Sequence, residues 1–181
     1  MSTLKVNELQ NTSGGNSITN VGKIVQVVQT VKTDAFSQSS LGTGVFSNDV
    51  ITCTITPSSS SNKILAISSL NVASSLTAPT IGAILVRDST ITDYRGPADG
   101  NKIRMGPTIA LPHHSNIWNI VLEYLDSPST ASAVTYRIRI CGLFGETSHT
   151  AYVNRGSDDS DNAYVARPAS TLTLMEVSAW V

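Results

Sequence analysis

A chain of 181 residues with 12 Lys+Arg against 13 Asp+Glu and a net charge of -1 has the length of one domain, or of one domain with a short appendage, and leaves no room for a second full domain. Charged residues make up 14%, hydrophobic residues 40%, and Ser with Thr about a quarter of the chain, so the surface is polar but weakly charged, and the lack of clustered basic residues argues against a nucleic-acid partner. No run approaches the roughly 18 apolar residues of a membrane span, and the opening MSTLKVNELQ lacks the apolar core of a signal peptide, so the expectation is a protein made in the cytosol that stays soluble.

The first 22 residues stand apart. Leu4, Val6 and Leu9 alternate with polar residues and give way to Asn11–Asn16 with its Gly14-Gly15 pair before Ile18 and Val21, the pattern of a strand, a turn and a short return strand. A segment this short buries no core alone. Met1 to Gly22 is therefore expected to be an arm that orders on another chain, with Leu4, Val6, Leu9 and Ile18 as its attachment residues; a frayed terminus is the alternative.

From Lys23 onward, segments rich in β-branched residues predict strands over Lys23–Val31, Asp49–Thr56, Lys63–Val72, Ile81–Asp88, Ile117–Leu125, Val134–Cys141, Thr150–Asn154 and Ser170–Val181, with weaker candidates near Val45 and Ile103. Helical periodicity is nearly absent. The fold class expected is all-β: an antiparallel two-sheet sandwich or jelly-roll-like knob over 23–181, with the extended N-terminal arm over 1–22. Thr56-Pro57 with Ser58–Ser61 and Asn62, and Asp126-Ser127-Pro128, read as exposed loops at a sandwich end. Tyr94 to Pro112, with Gly96-Pro97, Gly106-Pro107 and Pro112, reads as a long connection with at most one short strand, of the kind that carries function or interface.

Alternation places Ile51, Cys53 and Ile55 on one face, and Ile64, Ala66 and Ser68 on one face of the next strand, with Leu65, Ile67 and Ser69 opposite. That strand has two apolar faces. Val134, Tyr136, Ile138 and Ile140 share one side, and Arg137 and Arg139 the other, which is expected to meet water or a partner chain. Cys53 and Cys141 are too few and too far apart for a disulfide framework or a zinc site; both are expected to be buried, reduced and inert.

Catalytic and metal-binding patterns are weak. His113-His114 in an extended segment point to opposite faces, so shared ligation of a metal is disfavoured. His149 has no local frame linking it to a serine and an aspartate. Asp158, Asp159 and Asp161 lack the spacing of a calcium loop and read as a solvated turn joining two strands. Gly42-Thr43-Gly44 is not followed by the residues of a phosphate loop. Glu123, Asp126 and Glu146 are the acids that a glycosidase reading would need to bring together; Glu123 reads instead as an edge residue or the partner of an arginine such as Arg137.

Several phrases in order, Ser2–Gly15, Lys23–Thr33, Ile55–Leu65, Leu125–Tyr136, Tyr152–Arg155 and Ala169–Val177, resemble the small β-rich virion appendage proteins of tailed bacteriophages, especially those infecting cyanobacteria. They span most of the chain, and Arg87 to Ile117 matches least. The resemblance implies a non-enzymatic virion structural protein, assembled in the host cytoplasm, homotrimeric, with no catalytic residue, cofactor or metal. A short tail fibre would join the tail or baseplate by its arm and turn its knob to the host surface, where a glycan is the expected contact. A capsid cement protein, laid over the major capsid protein, is the alternative. A carbohydrate-binding module is the third reading, and it needs exposed aromatics, for which Trp118, Trp180 and five Tyr are the supply.

Overall fold

The computed structural model describes residues 23–92, 94–113, 116–143 and 148–179. Leu4, Val6, Leu9 and Ile18 lie outside the described residues, as do His114, Glu146 and Trp180. The strands are β1 (Ile24–Lys32), β2 (Phe36–Leu41), β3 (Ile51–Ile55), β4 (Lys63–Ser74), β5 (Thr80–Arg87), β6 (Thr90–Ile91), β7 (Thr108–Ala110), β8 (Trp118–Asp126), β9 (Val134–Gly142), β10 (His149–Val153) and β11 (Ser170–Val177). The described residues contain no helix. The strands pair antiparallel in two sheets, as the alternating patterns predict.

The six-stranded sheet is organised by β4, whose 12 residues take two partners end to end along one edge. β11 lies against Lys63–Ser69 and β10 against Val72–Ser74, while β8 follows the opposite edge from Ile64 to Val72. β1 flanks β11, and β2 flanks β10. The five-stranded sheet has the order β3-β9-β5-β6, with β7 also on β5. Between the sheets lies one core: Ile51, Cys53 and Ile55 from β3, Ile64, Ala66 and Leu70 from β4, Val134, Tyr136, Ile138 and Ile140 from β9, and Leu172 and Leu174 from β11 are all buried. Each Leu, Ile or Val among them contributes about 1.5–3 kcal/mol by leaving water.

Several expectations are corrected. β2 has no counterpart among the predicted strands because Ser-Gln-Ser-Ser has weak strand propensity; pairing with β10 makes the strand. Val45 and Ile103 lie in no strand, and near Val45 only isolated bridges join Thr43 to Gly142 and Phe46 to Cys141. The final strand stops at Val177, after which the Ser178 N–H donates to the Lys23 carbonyl and the Ala179 N–H to Asn62 Oδ1. The long connection contains β7, but it also folds inward: Met105 and Leu111 are buried, and Met105 packs with Phe46, Ile91 and Leu143 over Ile84 and Val86 on the outer side of β5. Gly106 permits this approach, since a Cβ there would stand 2.6 Å from the Ala83 carbonyl oxygen. Both cysteines are buried and free.

The Pro57–Asn62 loop is likewise more than a solvated turn, because Pro57 and Asn62 are buried. They close over Glu176, an inward position of β11 with no exposed surface. Burial, the largest single influence, pushes this carboxyl up, but donors from Asn62 Nδ2 at 2.5 Å, Gln26 Nε2 at 2.6 Å and both the Ser58 N–H and hydroxyl at 2.7 Å together outweigh it and hold its pKa at about 2. A folded pKa below the ordinary 4.5 means that the stability this group adds is fully present above about pH 4.5 and is lost as pH falls toward 2. Melting temperatures are therefore expected to drop over that window, and Glu176→Gln should flatten the drop while lowering the melt at pH 7, since an amide turns its own N–H groups toward donors. A variant with the wild-type slope would assign the acid transition elsewhere.

Candidate functional site

An antiparallel sheet with one solvated face ordinarily presents polar side chains there. On the outer face of the six-stranded sheet, apolar side chains stand among the polar ones. The register places side chains in rows across β1, β11, β4 and β8. One row is wholly apolar: Val27, Met175, Leu65 and Leu125. The next holds Gln29, Thr173, Ile67 and Glu123, with Gln29 Nε2 donating to Thr173 Oγ1 at 2.7 Å, and the third holds Val31, Thr171, Ser69 and Val121. At the other side of the apolar row stand Ile24, Val177 and Lys63. Val27 is 52% exposed, Val31 51%, Val121 50% and Leu125 44%. Only Lys63, at the rim, and Glu123 are charged among the outward positions of these four strands.

Strand spacing and rise give this four-strand face an area of about 500 Å2, with the wholly apolar row crossing all four strands and polar residues in the rows beside it. β8 adds a second feature, because it pairs with β4 alone and leaves its other backbone edge without a strand partner among the described residues. Edges of this kind invite pairing with another chain.

On the opposite outer surface the chain covers β5 itself, while Thr52 and Thr54 of β3 stay exposed. Ile84 and Val86 of β5 lie under Met105, and β9 presents Arg137 and Arg139, which share Asp49 at 3.1 and 2.6 Å. The arginine side meets water in part, as expected, and the two guanidinium groups also pair with the chain's own Asp49. Arg137 also donates to the Asp88 carbonyl, so it is not the partner of Glu123, which stands on the edge strand β8 as the first alternative had it.

Other expected site residues are dispersed. Glu123 points outward from β8 and Asp126 inward, where it is buried against Arg87 and Tyr136; the strand's alternation keeps these two acids on opposite faces. His113 is exposed in the β7–β8 connection, and His149 is buried in β10 beside Gly142. Asp158, Asp159 and Asp161 are exposed in the β10–β11 connection, with Asp159 held by Arg155 at 3.0 Å and by Arg167. That is a braced, solvated turn. The face residues Val27, Val31, Val121 and Leu125 were not singled out from sequence, although the two-faced apolar strand at Leu65 and Ile67 was the signal that pointed to them.

No family model matches the chain, and no curated protein matches it. Among solved structures, it is similar to the VP2 subviral particle of infectious bursal disease virus, at 12% identity over 84% of this chain and 39% of that one, with a TM-score of 0.41. The T13 viral particle of the same virus gives 13% identity, 92% and 37% coverage and a TM-score of 0.43; its Gx strain gives 14%, 99% and 42%, and 0.38. The chain spans about two fifths of the length of the chains it matches.

Proposed function

We propose that this protein is a non-enzymatic structural component of a bacteriophage virion, a short tail-fibre-type homotrimer whose residues 1–22 attach it to the particle and whose sandwich, from Lys23 onward, faces the host surface. One observation carries the assembly part of this reading: the uncovered apolar face of β1, β11, β4 and β8. The ordered phrases shared with phage appendage proteins support the virion setting and the number three. The occupant of the face is a second copy of this chain. Three faces of about 500 Å2 turned together take about 1,500 Å2 out of water across the whole trimer, and a net charge of -1 sets up little repulsion between copies. Three such faces turned toward a common axis form a shared core, with each copy dividing its face between two neighbours.

Imaging of intact particles carrying labelled protein tests the setting. Label at the tail supports the fibre role, label over capsid junctions assigns the cement role instead, and absence from particles overturns the virion reading. Deleting residues 1–22 is expected to leave the melting temperature of the sandwich within a few degrees of the full chain and to abolish incorporation. Val6→Asp should act like the deletion, since docking would bury an unpaired carboxylate. Normal occupancy of the deleted protein would move attachment into the sandwich.

A further inference from the structure

At one end of the sandwich an open cleft of about 640 Å3 lies between the start of β8 and the β10–β11 connection. Asn116 and Trp118 line one side, and Asp158 and Tyr164 the other. The volume falls within the range of small-molecule sites. Trp118 is 40% exposed and Tyr164 80%. A single exposed aromatic is ordinary on a protein surface, but two that line one concavity together with a carboxylate and an amide form a constellation.

The wall that carries Tyr164 is held in place. Arg155 places its guanidinium 4.6 Å from the centre of the Tyr152 ring on β10 and binds Asp159 at 3.0 Å, while Arg167 binds the same carboxylate. The Val165 N–H donates to the Asn162 carbonyl at 2.9 Å. A braced wall lowers the ordering cost of binding. These contacts also commit both arginines of the connection to Asp159, so among the described lining residues the cleft presents one carboxylate and no cation. The Ser160 N–H donates to Asp158 Oδ1 at 3.0 Å and holds that carboxyl below its ordinary range. It is therefore an anion and an acceptor at neutral pH.

Ring faces, one anionic acceptor and an amide match one ligand chemistry. The C–H face of a pyranose packs on an aromatic ring, its hydroxyls donate to a carboxylate, and an amide both donates and accepts. A carboxylate without a cation repels an acidic sugar. We propose that this cleft binds a neutral hexose saccharide. The inference rests on the host-surface part of the proposed function and supplies its ligand class and residues.

Purified full-length protein applied to an array of neutral gluco-, galacto- and manno-oligosaccharides, with sialylated counterparts, tests it. Retention is expected on at least one neutral series and is expected to fall on its sialylated counterpart. Trp118→Ala and Tyr164→Ala should each weaken retention about ten-fold, the worth of one buried aromatic contact of ~1.4 kcal/mol. Should Trp118→Ala melt early, Tyr164→Ala decides alone, because its largely exposed ring supports little of the fold. Failure to retain any neutral sugar, unchanged retention by Tyr164→Ala, or preference for the sialylated series overturns the proposal. Wild-type protein that is present in particles yet binds no neutral sugar overturns the cleft and leaves the virion reading standing. Sugar binding by a protein absent from particles does the reverse.

Discussion

Leu125→Asp is expected to turn trimers into monomers without unfolding them. In the free chain this side chain is 44% exposed on an edge strand, so an aspartate there is solvated and lowers the stability of the fold by only about 1–2 kcal/mol, from lost partial burial and strand propensity. Packed against a second copy, the same carboxylate would sit in the apolar row with Val27, Met175 and Leu65, one row from Glu123. An unpaired buried charge costs several kcal/mol, and a like charge nearby adds to it. Even ~3 kcal/mol weakens each contact more than about 100-fold. Sedimentation at micromolar concentration, with circular dichroism on the same samples, reads both parts of the result. Ser39→Asp, at an exposed position of β2 on the far edge of the sheet, should stay trimeric. A wild type that sediments as a monomer overturns self-association, and a trimeric Leu125→Asp moves the interface to another face.

Asp126→Ala is expected to cost about 2–4 kcal/mol, lowering the melting temperature by roughly 5–15 °C. Asp126 projects inward from β8 of the six-stranded sheet and accepts from two residues of the other sheet. Arg87 Nη1 on β5 lies 2.9 and 2.7 Å from its two oxygens, and the Tyr136 hydroxyl on β9 donates at 2.7 Å. Tyr136 is fully buried, and burial together with the Asp126 carboxylate pushes its phenol well above the ordinary value, so the hydroxyl keeps the proton it donates. Removing the carboxylate leaves a buried hydroxyl without its acceptor and a partly buried guanidinium without its counter-ion, and those losses exceed the worth of the pair itself. The cost stays near the lower part of the range for breaking buried pairs because the Arg87 side chain keeps 30% of its surface in water. Tyr136→Phe, which removes only one hydrogen bond, should cost about 1 kcal/mol. Melting curves order the variants. If Asp126→Ala melts with the wild type, this contact does not clamp the sheets together.

Strand placement was readable because period-two alternation of β-branched residues is a local signal with a physical cause, the half-buried pleat. Ile51–Ile55 and Val134–Cys141 have that form, and both lie where expected, with their inward residues in the core. β2 was not readable, because its Ser-rich segment becomes a strand only when β10 supplies the ladder. The same limit explains Glu176. A glutamate near the chain end has no sequence mark of burial, and its four donors come from β1 and from a loop more than a hundred residues earlier.

By itself the sequence determined the all-β class, the placement of the main strands and the inward set of each, since these depend on neighbours one and two positions away. It also showed that the strand containing Leu65 and Ile67 has two apolar faces. Which of those faces stays open was decided by the tertiary structure. The connection from Tyr94 folds back to put Met105 over the outside of β5, whereas Val27, Val31, Val121 and Leu125 on the outside of the other sheet stay exposed. The apolar row of Val27, Met175, Leu65 and Leu125 draws on four strands far apart in sequence, and the cleft of Trp118 and Tyr164 draws on two segments 46 residues apart. Both exist only because strand register, a product of long-range pairing, brings those residues side by side.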